Sequence, residues 1–436
     1  NQDKGFLTDR AVTHVFERSP LILELKEAQT FTANLEGETT EFLCPPDIGT
    51  CMNRNLLYDI SHPLNILRTS LVCAFQTFSS VRVLEECTFT AVVPEMTESG
   101  CAGVYRVNVH KTGHSTGAWM LRPHLLGHVD DLIDRYANDG CVLLGESYHR
   151  CSIATDTFPI MHQLLFVAPH DKNAVNVVSK ILVDLSGGSS CVQVMGQTTD
   201  EIDESLKSPG NTDGEKSLKR RHSQIEEVGT RPSNSGGESN RERHHQCPVC
   251  LQGKVDSRCS VQLRSAIGKW ATVGLCGAVK RKTKTYDIVL LYLDQLVMHL
   301  LNVPDIRTLW SSDFKMLDRH SRTPLEIRQD AVVDFSDVEL ASKSKHPPLY
   351  IRDVSFWVKG GFDELHFMSV LRQGTGFLLQ RVLLKEVYRD EARGDASHCY
   401  RLEYMSRDGA LSKEKLARIH QRVLELIRQE MGLVAR

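Results

Sequence analysis

The stretch at 288–317, IVLLYLDQLVMHLLNVPDIRTLWSSDFKML, constrains the fold more than any other part of the sequence. Leu293, Leu296, Val297 and Leu300 recur at helical spacing, so one stripe of a helix is apolar and has to be buried. Pro304 closes that helix, because its ring would clash with the carbonyl one turn back. A chain carrying this segment folds around a buried helix with a tight exit.

The 436 residues suffice for two or three domains, and 41% hydrophobic with 25% charged residues is ordinary globular composition. A formal net charge of -3 gives no whole-molecule basic field, so any nucleic-acid contact has to come from local patches. The 13 cysteines are odd in number and scattered, which points to reduced thiols in an intracellular protein, cytoplasmic ahead of mitochondrial or nuclear. No apolar run reaches the roughly 18 residues that span a bilayer, and no signal segment opens the chain, so no membrane partner is expected. The start at Asn1 points to a fragment or processed product, with an upstream domain or targeting segment missing.

Residues 302–313, Asn-Val-Pro-Asp-Ile-Arg-Thr-Leu-Trp-Ser-Ser-Asp, closely resemble the end of the catalytic domain of phenylalanyl-tRNA synthetases. The resemblance implies that the preceding helix is motif 3 of a class II synthetase, written Gly-Leu-Gly-Leu-Glu-Arg-Leu-Ala-Met in that family. Here Leu290, Leu291, Tyr292, Leu293, Asp294, Gln295, Leu296, Val297 and Met298 stand at those positions. Side chains replace the glycines that admit ATP, and Gln295 cannot offer the fixed charge of the family's arginine.

The segment at 119–128 is similar to the family's Leu-Leu-Arg-Thr-His-Thr-Ser, with His124 matching its histidine and Leu126 standing at its serine. Residues 145–151 and 158–165 resemble motif 2. The resemblance implies that His149 occupies the position of the arginine on the ATP α-phosphate, Cys151 that of an acid, and Leu165 that of the glutamate gripping the substrate ammonium; Gln163 matches. Arg150, adjacent on a strand, should face the opposite way and not replace it. If each lost contact removes about 2 to 4 kcal/mol of transition-state stabilisation, little rate remains. ATP and Mg are expected only if the chain is a ligase after all.

Residues 1–60 hold strand-like pieces, such as 19–25, and no motif. At 61 a helix should open, with Ser61 as its N-cap and Pro63 in its first turn. Between 196 and 245 large apolar residues almost vanish, which reads as a disordered insert; its basic run at 219–222 precedes Ser223. Cys247 and Cys250, with Cys259 and a histidine or Cys276, have donors for a structural zinc, though they lack a second knuckle pair. Residues 268–277 resemble the family strand Gly-x-Trp-x-Glu-x-x-Gly-Cys-Gly, and the basic run at 280–284 is either an RNA contact or a solvated loop.

Beyond Pro347-Pro348, strands are expected at 349–358, 377–388 and 397–405, with helices at 363–371 and 412–431. That β-α-β-β-α order suits a ferredoxin-like split fold, and Ser412 can cap the last helix. The words Arg352-Asp353-Val354-Ser355-Phe356, Val387-Tyr388-Arg389 and Tyr400-Arg401-Leu402 resemble the ferredoxin-fold anticodon-binding domain of the synthetases. Seventeen Lys and Arg against twelve Asp and Glu over 343–436 make this part basic, suited to phosphate contacts. Arg352, Tyr388, Arg389 and Arg401 are the candidate tRNA contacts, while alternation assigns the aromatics Phe356 and Tyr388 to the core.

The expected fold is α+β: a class II synthetase-like antiparallel sheet domain at 61–340, then a ferredoxin-like sandwich at 347–436. Family spacing with eroded ligands is the pattern of ferredoxin-fold anticodon-binding domain-containing proteins, whose longer members carry an upstream domain akin to RNA-uridine methyltransferases. The resemblance implies a tRNA- or RNA-binding protein without aminoacylation, able to pair with a second copy through its synthetase-like half. The alternatives are an active phenylalanine-tRNA ligase and the RNA-recognition half of a methyltransferase.

Overall fold

The computed structural model describes residues 30–35, 38–52, 54–78, 81–84, 91–94, 103–110, 118–136, 138–187, 192–196, 257–264, 268, 270–311, 314–325, 332–342, 347–358, 361–390 and 395–435. The strand-like piece at 19–25, the basic run before Ser223, and Cys247 and Cys250 lie outside them. So does the predicted insert, except for Gly196, which ends a strand.

A hairpin of β1 (Thr30–Leu35) and β2 (Glu38–Leu43) opens the described chain, followed by helix α1 (Pro63–Phe78). Strands β3 (Arg82–Leu84), β4 (Val92–Pro94), β5 (Arg106–Val107) and β6 (Trp119–Leu121) lead to a 3-10 turn at Leu125–His128 and helix α2 (Val129–Tyr136). Next come β7 (Cys141–Tyr148), β8 (Ile160–Pro169), α3 (Ala174–Leu185), β9 (Val192–Gly196), β10 (Ser257–Arg264), β11 (Trp270–Arg281), β12 (Lys284–Tyr292) and α4 (Leu293–Leu300). A small hairpin, β13 (Phe314–Asp318) and β14 (Val338–Ser342), precedes β15 (Tyr350–Val358), α5 (Glu364–Thr375), β16 (Leu379–Asp390), β17 (Asp395–Tyr404) and α6 (Lys413–Met431).

Seven strands form the central sheet in the order β3-β7-β8-β12-β11-β10-β9. Only its β3–β7 pair is parallel. Because side chains alternate across a strand, each sheet face buries its own cluster. One face packs Leu144, Leu164, Phe166, Val289 and Leu291 under α1, α3 and α4; the other packs Leu143, Leu165, Leu290 and Tyr292 under the 3-10 turn and α2. The helix expected from the apolar run is α4, but the residues before Leu293 are strand. It ends at Leu300, one turn before Pro304, where Asn302 turns left-handed at φ 52°.

The last three strands make an antiparallel sheet in the order β15-β17-β16. Ala435 bridges to Phe356 on the free edge of β15, so the chain end lies where a fourth ferredoxin-like strand runs. Ser412 caps α6 by accepting from the Lys415 N–H, and Asp363 caps α5 through the N–H groups of Leu365 and His366.

The N-cap of α1 corrects the sequence reading. Ser61 bonds to Asp59, and His62 occupies the cap, its Nδ1 accepting from the Leu64 N–H at 3.1 Å. That bond fixes the tautomer: Nε2 carries the proton and donates to the Leu309 carbonyl at 2.6 Å. Burial holds the His62 imidazole down, to about 4, against the opposing pull of the Leu309 carbonyl. Between pH 6.5 and 4 the unfolded chain therefore takes up a proton that the folded chain refuses, and stability falls as pH drops through that window. His62→Asn keeps a cap acceptor without titrating. Urea midpoints should show wild type losing about 2 kcal/mol more than this variant between pH 7 and 4.5, and equal losses would contradict the assignment.

Candidate functional site

The registers of β7, β8, β12 and β11 place the synthetase-like positions in rows across one sheet face. Leu143, Leu165, Leu290 and Leu275 align in one row, and Gly145, Gln163 and Tyr292 in the next. Leu126 on the 3-10 turn packs into the same cluster with Leu165, Leu290 and Tyr292, all of them buried. Apolar side chains thus occupy the space in front of this face, and burial pushes the Tyr292 phenol up. The Gln163 amide oxygen accepts from the Leu125 N–H at 3.0 Å, tying the 3-10 turn that carries buried His124 onto the sheet. Arg122 lies over Gly145, where a Cβ would come within 2.6 Å of its Nη2, and its Nε donates to the Glu146 carbonyl at 2.7 Å. Only glycine admits that buried arginine.

Strand β7 ends at Tyr148, so His149 and Arg150 leave the sheet and strand alternation does not govern them, contrary to the sequence reading. The His149 ring packs on Gly103 so closely that a Cβ there would overlap it. Arg150 sets its guanidinium 5.5 Å from the Tyr105 ring centre. Gln295 donates to the Asp156 carbonyl at 2.8 Å.

Cys151 begins a loop gripped by the C-terminal unit. Arg372 of α5 donates through Nη2 to the carbonyls of Cys151 and Ser152, each at 2.8 Å, and to the Cys151 sulfur at 3.2 Å. Burial raises that thiol even though the arginine pulls it down. The Val382 N–H donates to the Ile153 carbonyl at 2.9 Å, and the Ile153 side chain joins the C-terminal core. Nearby, Arg307 Nη2 pairs with Asp305 at 2.7 Å while Nη1 donates to the carbonyls of Phe377, Leu378 and Met405. Burial works to raise the Asp305 carboxyl, but Arg307 and Arg407 overcome it and hold it below the carboxylate range. Sequence reasoning missed this clasp. Its one visible signal was the Asp-x-Arg spacing just after Pro304.

On the opposite sheet face, the His162 N–H donates to Asp294 Oδ2 at 2.5 Å and Nδ1 lies 3.1 Å from Oδ1. His162 Nε2 stands 3.5 Å from Glu146 Oε1, and Glu146 Oε2 accepts from the Tyr148 hydroxyl at 2.6 Å. Burial alone would lower the imidazole, yet Asp294 and Glu146 together raise it to about 10, so it is charged.

On the C-terminal sheet, Tyr388 and Arg401 share the outer face, while Arg352 and Arg389 fall on the alternate side of their strands. Tyr388 is 58% exposed and edge-on to Trp357 at 6.0 Å, which corrects its assignment to the core; Phe356 is buried. Tyr388 leaves the core because β16 is bulged and runs past the helices. Arg401 is held in a two-point pair with Asp353, both bonds at 2.9 Å. Among the described residues no group of three or more His, Cys, Asp or Glu could hold a metal, and Cys259 faces Cys276 across β10 and β11. No helix among them is long and apolar enough to cross a membrane.

The model of the ferredoxin-fold anticodon binding domain matches residues 344–436. Human ferredoxin-fold anticodon-binding domain-containing protein 1 is 22% identical, aligned over 100% of this chain and 72% of that protein. The mitochondrial phenylalanine–tRNA ligase of Dictyostelium discoideum is 24% identical, over 84% of this chain and 83% of that one. Among solved structures, pyrrolysyl-tRNA synthetase from Desulfitobacterium hafniense matches with a TM-score of 0.36 and 8% identity, covering 62% of this chain and 81% of that one. The domain matched at 344–436, joined to a likeness to a mitochondrial ligase over 84% of the chain, makes this a ferredoxin-fold anticodon-binding domain protein related to mitochondrial phenylalanine–tRNA ligases.

Proposed function

We propose that the protein binds tRNA or a structured RNA through the outer face of β15, β16 and β17, and that its synthetase-like half serves as a scaffold without forming an adenylate. The observation that carries the first part is exposed Tyr388 against half-buried Trp357, on the sheet face that Arg401 shares four residues along β17, in a locally basic unit. An exposed ring offers a stacking surface to an unpaired base, and the basic residues around it attract phosphate. The second part is supported by the filled sheet face. Among the described residues, Leu126, Leu165, Leu290 and Tyr292 set apolar groups on that face, its Gln163 is bonded to the Leu125 N–H, and neither His149 nor Gln295 can place a fixed guanidinium at a triphosphate. The residues present therefore do not suit ATP and Mg.

Fluorescence anisotropy of labelled tRNA with the whole chain tests the RNA reading. Affinity should fall steeply as salt rises, Tyr388→Ala should weaken binding by about 1–3 kcal/mol, and Arg401→Ala should flatten the salt slope by about one unit. No binding at low salt, or binding that ignores salt, would contradict it.

A further inference from the structure

On the sheet face opposite the filled pocket lies a cleft of about 480 Å³, lined by Thr30, Phe31, Thr32, Met52, Asn55 and Ala91 with Glu146 and Tyr148. This volume falls within the range of small-molecule sites, and its make-up is of that kind: an aromatic ring and a thioether beside hydroxyl and amide groups. Glu146 is only 5% exposed, yet it belongs to the lining. Asn55 in the lining has a left-handed backbone at φ 51°, which asparagine adopts readily.

The charges around Glu146 indicate what the cleft takes. The carboxylates of Asp294 and Glu146 share the single His162 imidazole, whose charged form they favour against the opposing effect of its burial. Asp294 takes the closer contacts, and Glu146 is left with the longer one and the neutral Tyr148 hydroxyl. The guanidinium of Arg54 turns to the Trp310 carbonyl. Among the described residues no lysine or arginine pairs with Glu146. A buried carboxylate in this position is stabilised by a cation, and the cleft is its approach from solvent.

We propose that this cleft is a binding site for a small organic cation, an alkylammonium or guanidinium compound, whose charged head pairs with Glu146 and whose apolar part lies against Phe31 and Met52. A site of this kind lies on the sheet face opposite the synthetase-like positions, so it stands independently of RNA binding and of adenylation.

Titration calorimetry on the whole chain, with n-hexylammonium and neutral n-hexanol as matched probes, tests the proposal. The ammonium should bind with one-to-one stoichiometry and raise the melting temperature, and hexanol should bind at least about tenfold more weakly. Glu146→Gln should weaken the ammonium by about tenfold or more. Should that variant fail to fold, Thr32→Trp, at an exposed lining position away from the charged network, fills the cleft and should abolish binding. Equal binding of both probes, no heat from the ammonium at millimolar concentration, or undiminished binding by Thr32→Trp would overturn the assignment.

Discussion

Arg307→Ala is expected to lower the unfolding free energy by about 3–5 kcal/mol, the range for removing one partner of a buried ion pair. The side chain is almost wholly buried, on the 3-10 turn Ile306–Thr308 between the two halves. Besides both oxygens of Asp305, it satisfies the carbonyls of Phe377, Leu378 and Met405, all from the C-terminal unit. Alanine would take a donor from the carbonyls of Phe377, Leu378 and Met405, of which Leu378 keeps the Met405 N–H at 2.8 Å, and Asp305 would keep the backbone N–H of residue 307 at 3.0 Å, Arg407 at 3.0 Å and Gln380 at 3.3 Å. Arg307→Lys would preserve the charge but cannot serve a carboxylate and three carbonyls with one ammonium, so it should fall between alanine and wild type. Urea unfolding of the three proteins checks this ranking. A loss under about 1 kcal/mol for alanine would mean that the clasp contributes little to joining the halves.

The clasp also bears on function. The loop after β7 runs from Cys151, and it is held by Arg372, by the Val382 N–H and by the insertion of Ile153 into the C-terminal core. Asp47 joins from the N-terminal side, accepting from Ser369 Oγ at 2.5 Å and from the Tyr105 hydroxyl at 2.7 Å. A loop locked in this way is a packing element between two cores, held by contacts that a mobile loop would have to release.

Local features were legible in the sequence because they depend on neighbours along the chain. The helical spacing from Leu293 to Leu300, the Ser412 cap and the β-α-β-β-α order all follow from periodicity and side-chain chemistry within a few residues. The failures share a different cause. His62 displaced Ser61 as a cap because its ring also reaches Leu309, 247 positions away. Tyr388 escaped the core because a bulge in β16 shifts its register, which no alternation count reveals. Arg307 and Arg372 act on backbone carbonyls, and carbonyls leave no mark in a sequence. The filling of the synthetase-like pocket was half legible. Leu126 and Leu165 were visible as apolar residues where the resemblance expects polar ones, but only the register of β7, β8 and β12 brings them together with Leu290 and Tyr292.

That filling is the central claim, and phenylalanine-dependent exchange of labelled pyrophosphate into ATP tests it most directly. At about 2 to 4 kcal/mol for each lost transition-state contact, the changes at Leu126, His149, Cys151, Leu165 and Gln295 together remove more than the exchange assay can detect. With ATP, Mg and phenylalanine present, and an active phenylalanine–tRNA ligase as control, the whole chain should give a rate indistinguishable from the protein-free blank. Exchange that requires phenylalanine and rises in proportion to the concentration of this protein would contradict the account.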